Sequence, residues 1–428
     1  MFKSTFNVKI KTDQWVKSQE RMVPLAKEKT EKKYFGLSQN AFLFGFISML
    51  NDFASELTIR TLPLYLSSVL GVKTEIIGLI EGIADTTSTL LKLISGYLSD
   101  FFKKRKALVF LGYALSNLSR PFLFWATTWP ITLIIRFLDR VGKGIRTSPK
   151  DALIADSTEP ENLGRAFGFN RALDPFGAVL ALFVAAALLY WGKTNTTTMT
   201  REVFQRLIIL STIPGFFVLF LLAFFIREIP PKGKEIKKLS LSLRGFDQRF
   251  KKFLVVLILF TLGNSSDAFL ILKAKTAGMT VVEIFVMLGF FNLISVLVSY
   301  PAGILSDKIG RLKLIAGGWI VYALLYLGFA LASTPQVFAL LYILYGAYYG
   351  ITEGVEKAMV ADLVPSEKRA SAYGLYNAAV GISALPASLI AGFLWDKFSP
   401  AHAFFFGSLL ALLAVVLLPW ALRGGVRK

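Results

Sequence analysis

The sequence contains no cysteine and a single histidine, His402. Disulfides, thiolate metal sites and cysteine nucleophiles are thereby excluded. Histidine chemistry is reduced to one residue in a predicted outer loop. No Gly-x-x-x-x-Gly-Lys-Ser/Thr phosphate loop occurs, which argues against ATP-driven pumping by this chain. No nucleophile–base pair or metal cluster stands out, so the chain reads as a non-enzyme that needs no cofactor. Acidic residues are scarce, 28 against 48 Lys and Arg, for a formal net charge of +20. Charge of either sign is also scarce, at 18% of 428 residues, whereas 54% are hydrophobic and the mean hydropathy is +0.56. A soluble domain carries about a quarter charged residues. Residues 1–37 are too polar to hold the apolar core of a signal peptide.

What is present in their place is a series of apolar stretches of about 20 residues, the length that crosses a bilayer. Twelve spans are expected, near 38–66, 75–99, 107–127, 130–150, 163–190, 205–226, 252–273, 281–305, 312–332, 335–360, 371–394 and 402–422. The positive charge has a place in this scheme. It collects in residues 1–37, in the central segment from Arg227 to Lys252, in the loop Lys103-Lys104-Arg105-Lys106, and around Lys308, Arg311 and Lys313. All of these fall on one side if the spans alternate, which is the positive-inside pattern. Nucleic acid is therefore not the expected partner; the lipid bilayer is. The pattern places a multi-pass chain in a plasma membrane, of the bacterial inner-membrane kind, with both termini cytoplasmic.

The chain repeats itself at a spacing of about 206 residues. Gly96-Tyr-Leu-Ser-Asp100 recurs as Gly303-Ile-Leu-Ser-Asp307, and Ala155-Asp156 recurs as Ala361-Asp362. Two fused halves follow: a basic tail at 1–37, a first six-span half at 38–226, a cytoplasmic linker at 227–251, a second half at 252–422 and a short tail at 423–428. Transporter folds are commonly built from such repeats, with the solute site at mid-membrane on the repeat interface.

These residues resemble the major facilitator superfamily. Its signature loop of Gly, three residues, Asp, a basic residue, Gly and further basics is matched by Gly303, Asp307, Lys308, Gly310 and Arg311. The first-half copy keeps Gly96, Asp100 and the basic run containing Arg105. The family's fourth-span pattern, Arg-x-x-Gln-Gly-x-Gly-x-Gly, is matched at Arg136, Gly142 and Gly144, with Asp139 and Arg140 replacing the Gln and the first Gly. The resemblance implies an all-α membrane protein of twelve transmembrane helices in two pseudo-symmetric six-helix halves. It also implies a share in proton coupling for Arg136, and gate loops at Asp100 and Asp307 that latch one access state. Asp156, Arg165 and Asp362 lie in the same loop regions and join the expected gate.

Charges inside the spans carry the functional reading. A charge at bilayer mid-depth costs about 2.5–3.5 kcal/mol on insertion scales, so it faces a bundle interior or a watery cavity. Arg136, Arg140, Lys143, Arg146 and Lys150 form one stripe at helical spacing. Asp52, Glu56 and Arg60 are four apart on one face of the first span. Asp85 lies on the second span, with Glu81 nearer its outer end, where the spacing allows a simple solvated charge. Arg171 and Asp174 share the fifth span. Asp267, Asn292 and Glu353 are the corresponding groups of the second half. Asp52, Glu56, Asp85 and Arg136 are the expected proton-coupling residues. Asp52, Arg60, Asp139, Arg140, Lys143, Arg146, Arg171, Asp174, Asp267, Asn292 and Glu353 are the expected cavity residues. A purely structural charge network within the first half competes with this reading.

The function expected is secondary active transport of a small, anionic or zwitterionic solute by alternating access, proton-coupled, in a monomer. A multidrug or amphipathic-compound exporter, and a non-transporting receptor on the same fold, remain as alternatives.

Overall fold

A computed structural model describes residues 33–102, 104–193, 196–229, 243–365 and 368–422, with the side chains of 97, 98, 100–102, 160 and 370 left aside. The expected N-terminal tail up to residue 32, linker residues 230–242 and the tail at 423–428 lie outside the described residues.

The described chain opens with a short hairpin. Strand β1 (Lys33–Tyr34) pairs antiparallel with β2 (Leu37–Ser38) around Phe35 and Gly36. Both turn residues have positive φ, 52° and 77°, the conformation of tight hairpin turns. Ser38 then caps α1 (Gln39–Ile59), its hydroxyl accepting the Ala41 N–H at 3.3 Å. The first half continues through α2 (Leu62–Ser68), α3 (Thr74–Phe102), α4 (Arg105–Ser119), a 3-10 turn (Arg120–Trp125), α5 (Trp129–Asp156), α6 (Leu163–Trp191) and α7 (Arg201–Phe224). The second half runs through α8 (Gln248–Gly263), α9 (Ala268–Thr276), α10 (Val281–Ile309), α11 (Arg311–Leu331), α12 (Pro335–Asp362), α13 (Arg369–Lys397) and α14 (Pro400–Leu422). Local chemistry starts several of these. Pro335 opens α12 where its missing N–H costs nothing, and Thr280 with Glu283 forms a capping box on α10, with bonds of 2.7 and 3.2 Å.

The spans expected at 38–66 and 252–273 are each broken. The first bends at Arg60–Thr61 between α1 and α2, and the seventh leaves the helix at residues 264–267, between α8 and α9. Among the described residues, nine helical segments are long and apolar enough to cross a membrane. The remaining long helices, α3, α5 and α12, have 29, 28 and 28 residues, long enough to cross; α3 and α5 carry charges along their length, and α12 carries tyrosines in its first half and charges in its second. The fold is all-α, twelve spans in two pseudo-symmetric halves. Helices α5 and α12 are 28 residues each and α6 and α13 are 29 each, and in both pairs the starts differ by the 206-residue repeat.

Packing joins the halves through α3 against α13 and α6 against α10. Their spacing differs along the bundle. At the face remote from the chain termini the halves touch. A Cβ on Gly78 of α3 would meet the Ser388 carbonyl oxygen at 2.5 Å, and one on Gly392 of α13 would meet the Glu75 Cα at 2.6 Å. Gly289 of α10 likewise faces Phe183 of α6 at 2.9 Å. Gly303 lies about four turns further along the same face of α10, toward the termini, and has no neighbour within 4 Å. The halves thus touch at the far face and are parted at Gly303, toward the other face.

Candidate functional site

Between the halves lies a cavity of about 410 Å³. Its walls come from α1, α3 and α5 of the first half, and from the α8–α9 break, α12 and α13 of the second. The first-half helices bring charge because their acidic and basic residues recur every three or four positions, which turns them to one side. The break at 264–267 exists because Asn, two serines and Asp favour local side-chain bonds over helix; it places Asn264, Ser265, Ser266 and Asp267 on the wall.

Ten charged side chains line this space, five acidic and five basic. The acids are Asp52, Glu56, Glu81, Asp85 and Asp267; the bases are Arg60, Lys92, Arg136, Arg140 and Lys143. Some are committed to each other. Arg60 bonds Glu56 at 2.8 Å and reaches across to Asp267 at 3.1 Å. Arg136 bonds Glu81 at 2.6 Å. Others are loosely held. Arg140 is 4.0 Å from Asp85, and its buried Nε has no hydrogen-bond partner. Among the described residues Asp52, Lys92 and Lys143 form no ion pair within 4.0 Å; the Asp52 carboxylate accepts only a 3.5 Å bond from the Asn51 amide.

Beside this wet site lies a dry one. Asp139 is off the cavity lining and 3% exposed. Its carboxylate takes Arg120 at 2.9 Å and Arg136 at 3.4 Å. Arg120 continues to Asn117 at 3.2 Å, and Asn117 to Asn51 at 3.3 Å. Arg146 is also drawn inward, bonding the Ser116 hydroxyl at 2.7 Å and lying over the Tyr113 ring at 4.4 Å. Arg136 links the two environments.

The other expected residues are spread more widely. Arg171 is exposed and Asp174 partly exposed, both off the lining. Asn292 bonds the Leu288 carbonyl of its own helix at 2.9 Å. Glu353 holds Lys357 at 2.8 Å on the half-exposed side of α12. In the expected gate, Asp307 and Asp362 both hold Arg311, at 2.9 and 2.6 Å, and Gly310 makes the turn with φ 92°. Arg105 pairs with Asp156, and the backbone N–H of Arg105 donates to Glu228 at 3.0 Å. Arg165 is exposed, with its guanidinium over Gly36 of the hairpin, and Lys308 is exposed. Gly96 has only Ser148 nearby. The side chain of Asp100 lies outside the described residues.

Sequence reasoning misplaced Glu81, which is 4% exposed and ion-paired rather than solvated at the outer surface. It also passed over Asp396 of α13, whose carboxylate accepts the Thr74 and Glu75 N–H groups at 3.3 and 2.8 Å and so caps α3 from the other half. Glu356 of α12 is buried, held by the Trp319 indole N–H and the Tyr376 hydroxyl, each at 2.9 Å.

The sequence profile of the Major Facilitator Superfamily matches residues 44–352 and again 253–427. An uncharacterized MFS-type transporter of Methanocaldococcus jannaschii is 37% identical over 388 residues, covering 89% of this chain and 94% of that protein. Among solved structures, a D323A mutant of the nucleoside transporter NupG superposes with a TM-score of 0.76 at 12% identity, over 90% of this chain and all of that one. A D-xylose–proton symporter superposes with a TM-score of 0.69 at 16% identity, over 89% and 96%. At these identities the superpositions speak for the fold alone.

Proposed function

This chain belongs to the Major Facilitator Superfamily and is a membrane transporter, and from that premise we propose that it moves a small anionic or zwitterionic solute by alternating access, driven by protons. The observation that carries the reading is the cluster of Arg140, Lys143 and Lys92 on one cavity wall. Among the described residues none is tightly neutralised, and the buried Arg140 Nε has no acceptor. A buried donor left unpaired costs about 1–3 kcal/mol, more when charged, and an anionic solute group supplies the missing acceptor. Cavity dimensions suit a small metabolite rather than a polymer.

Asp52 is the proposed proton carrier. It lines the cavity without an ion-pair partner and shares it with Lys143. Taking up a proton there frees Lys143 for the solute; releasing it returns Lys143 to Asp52. We assign the termini-bearing face to the cytoplasm, as the basic loops suggest, so the parted state is inward-facing. In this state the two gate clusters, Arg311 with Asp307 and Asp362, and Arg105 with Asp156, are satisfied within their own halves. The proposed assembly is a monomer in the plasma membrane, one chain supplying both walls of the cavity.

The test is flux in proteoliposomes, using a solute first identified by thermal shift, since a ligand that binds only the native state raises the melting temperature. Asp52→Asn is expected to abolish accumulation driven by a pH gradient while solute exchange continues. Accumulation that persists unchanged in Asp52→Asn sinks the proton assignment.

A further inference from the structure

We infer that the transported solute is a zwitterion whose cationic group docks on Asp267 in exchange for Arg60, while its anionic group lies among Lys92, Arg140 and Lys143. The inference rests on the anion-binding wall of the preceding reading and adds the opposite pole.

The lining carries side chains of both signs, so each pole of a solute with separated charges can meet an opposite charge. A neutral molecule with separated charges matches it. The poles are also separated in space. The loosely held cations stand on α3 and α5 of the first half, and Asp267 stands at the α8–α9 break of the second. Asp267 occupies the N-cap position of α9, where Asp is a preferred residue because it can accept backbone N–H groups. It makes no such bond. Its carboxylate instead turns to the cavity, where Oδ2 takes Arg60 at 3.1 Å and Oδ1 has no hydrogen-bond partner among the described residues. Tyr349 lines the same wall, an aromatic neighbour of the kind ammonium groups favour.

Arg60 is able to leave. It keeps Glu56 at 2.8 Å, so giving up Asp267 does not strand a buried guanidinium. The exchange has a consequence for transport, because Arg60–Asp267 joins α1 of one half to the seventh span of the other. A solute ammonium on Asp267 breaks that link only while its anionic end is held by the first half. A simple anion leaves the link intact.

The experiment is a thermal-shift panel on purified full-length protein, built from matched triads: a small amino acid or betaine, its N-acetyl or amine-lacking anion, and its methyl ester cation. The stabilising compounds are expected to be zwitterions, with both singly charged analogues weaker by about tenfold or more. Asp267→Asn is expected to erase the preference for zwitterion over anion, and Asp267→Glu to retain it in part; the ligand-free melting temperature of each variant reports that it folds. An anion that matches its zwitterion, an Asp267→Asn variant that binds zwitterions within twofold of the parent, or a panel in which no zwitterion stabilises, overturns the inference. Lys143→Met separates the two readings. If it weakens the hits while Asp267→Asn does not, only the zwitterion fails; if it changes nothing, the anion-binding wall fails first.

Discussion

Removing the cap that α13 lends to α3 is expected to open the far face. The Asp396 carboxylate accepts the Glu75 N–H at 2.8 Å and the Thr74 N–H at 3.3 Å. These are first-turn N–H groups of a helix that have no partner within it. Replacing a capping Asp by Ala costs about 0.5–2 kcal/mol, typically about 1. Because the cap crosses between halves, that cost falls on the far-closed state and not on a state in which the halves have separated there. About 1 kcal/mol is about a fivefold shift in the equilibrium, given tenfold per 1.4 kcal/mol. The chain has no cysteine, so one introduced thiol reports without background. Ala384→Cys lies on the cavity wall. A membrane-impermeant maleimide should label it readily from the termini side and slowly from the far side. Asp396→Ala should raise the far-side rate about fivefold and lower the rate from the termini side. Equal far-side rates with and without Asp396, at equal folded protein, would refute the argument, as would a parent already labelled quickly from the far side.

Other outcomes follow from the buried groups and one exposed cap. Asp139→Asn leaves Arg120 and Arg136 short of a buried counter-charge, and should cost about 3–5 kcal/mol, seen as a large fall in melting temperature in detergent; an unchanged melting temperature would mean that the network is not structural. Tyr342→Phe removes a fully buried hydroxyl that has no partner among the described residues and should stabilise the protein by about 1 kcal/mol or more; a lower melting temperature would reveal a hidden partner. Asp247, at the start of α8 outside the membrane, is held below the usual carboxylate range by the Arg249 N–H, which it accepts at 2.7 Å, and by the Arg249 side chain. Its cap is therefore in force above the ordinary Asp range and is lost as pH falls through the lowered value. Amide exchange in the first turn of α8 should quicken on acidification in the parent and be independent of pH, after correction for intrinsic rates, in Asp247→Ala.

Much of the architecture is legible in the sequence because lipid allows few ways to satisfy a backbone. Spans such as α14 announce themselves by hydropathy alone. Helices α3 and α5 are found only when charge spacing is read together with length, since their charges depress the hydropathy signal, and in α12 four tyrosines do so as well. Helical periodicity turns Asp52, Glu56, Arg60, Arg140 and Lys143 to one side of their helices, and the fold brings them to one space. What it cannot supply is the neighbouring helix. Asp139 shares the stripe of Arg136 and Arg140, yet Arg120 captures it from another element, 19 positions away. Glu81 is buried for the same reason, because Arg136, 55 positions distant, reaches it. Arg60 and Asp267 are 207 positions apart, and nothing local to either foretells their meeting.

That separation has its own logic. Offset by close to the repeat length, Arg60 and Asp267 are near-equivalent positions of the two halves, one ending α1 and the other preceding α9. Equivalent positions are the ones a pseudo-twofold axis brings face to face. Had the halves stayed identical there, the axis would set like charges against each other in a site largely shielded from water, where their repulsion is strong. Divergence to opposite signs turns the repulsion into the 3.1 Å bond. The same inversion recurs at the repeat spacing, where Lys150-Asp151 of α5 stands opposite Glu356-Lys357 of α12. Packing at those positions is kept by neutral partners. Lys150 takes Ser48 at 2.9 Å and Asn170 at 3.2 Å, and Glu356 takes Trp319 and Tyr376. Charge is thus kept between the halves at the gate, where Arg105 with Asp156 matches Arg311 with Asp362, and inverted at Arg60 and Asp267, where the halves meet. A repeat protein of this kind has its symmetry in its backbone and loses it at the charged side chains that meet across the axis.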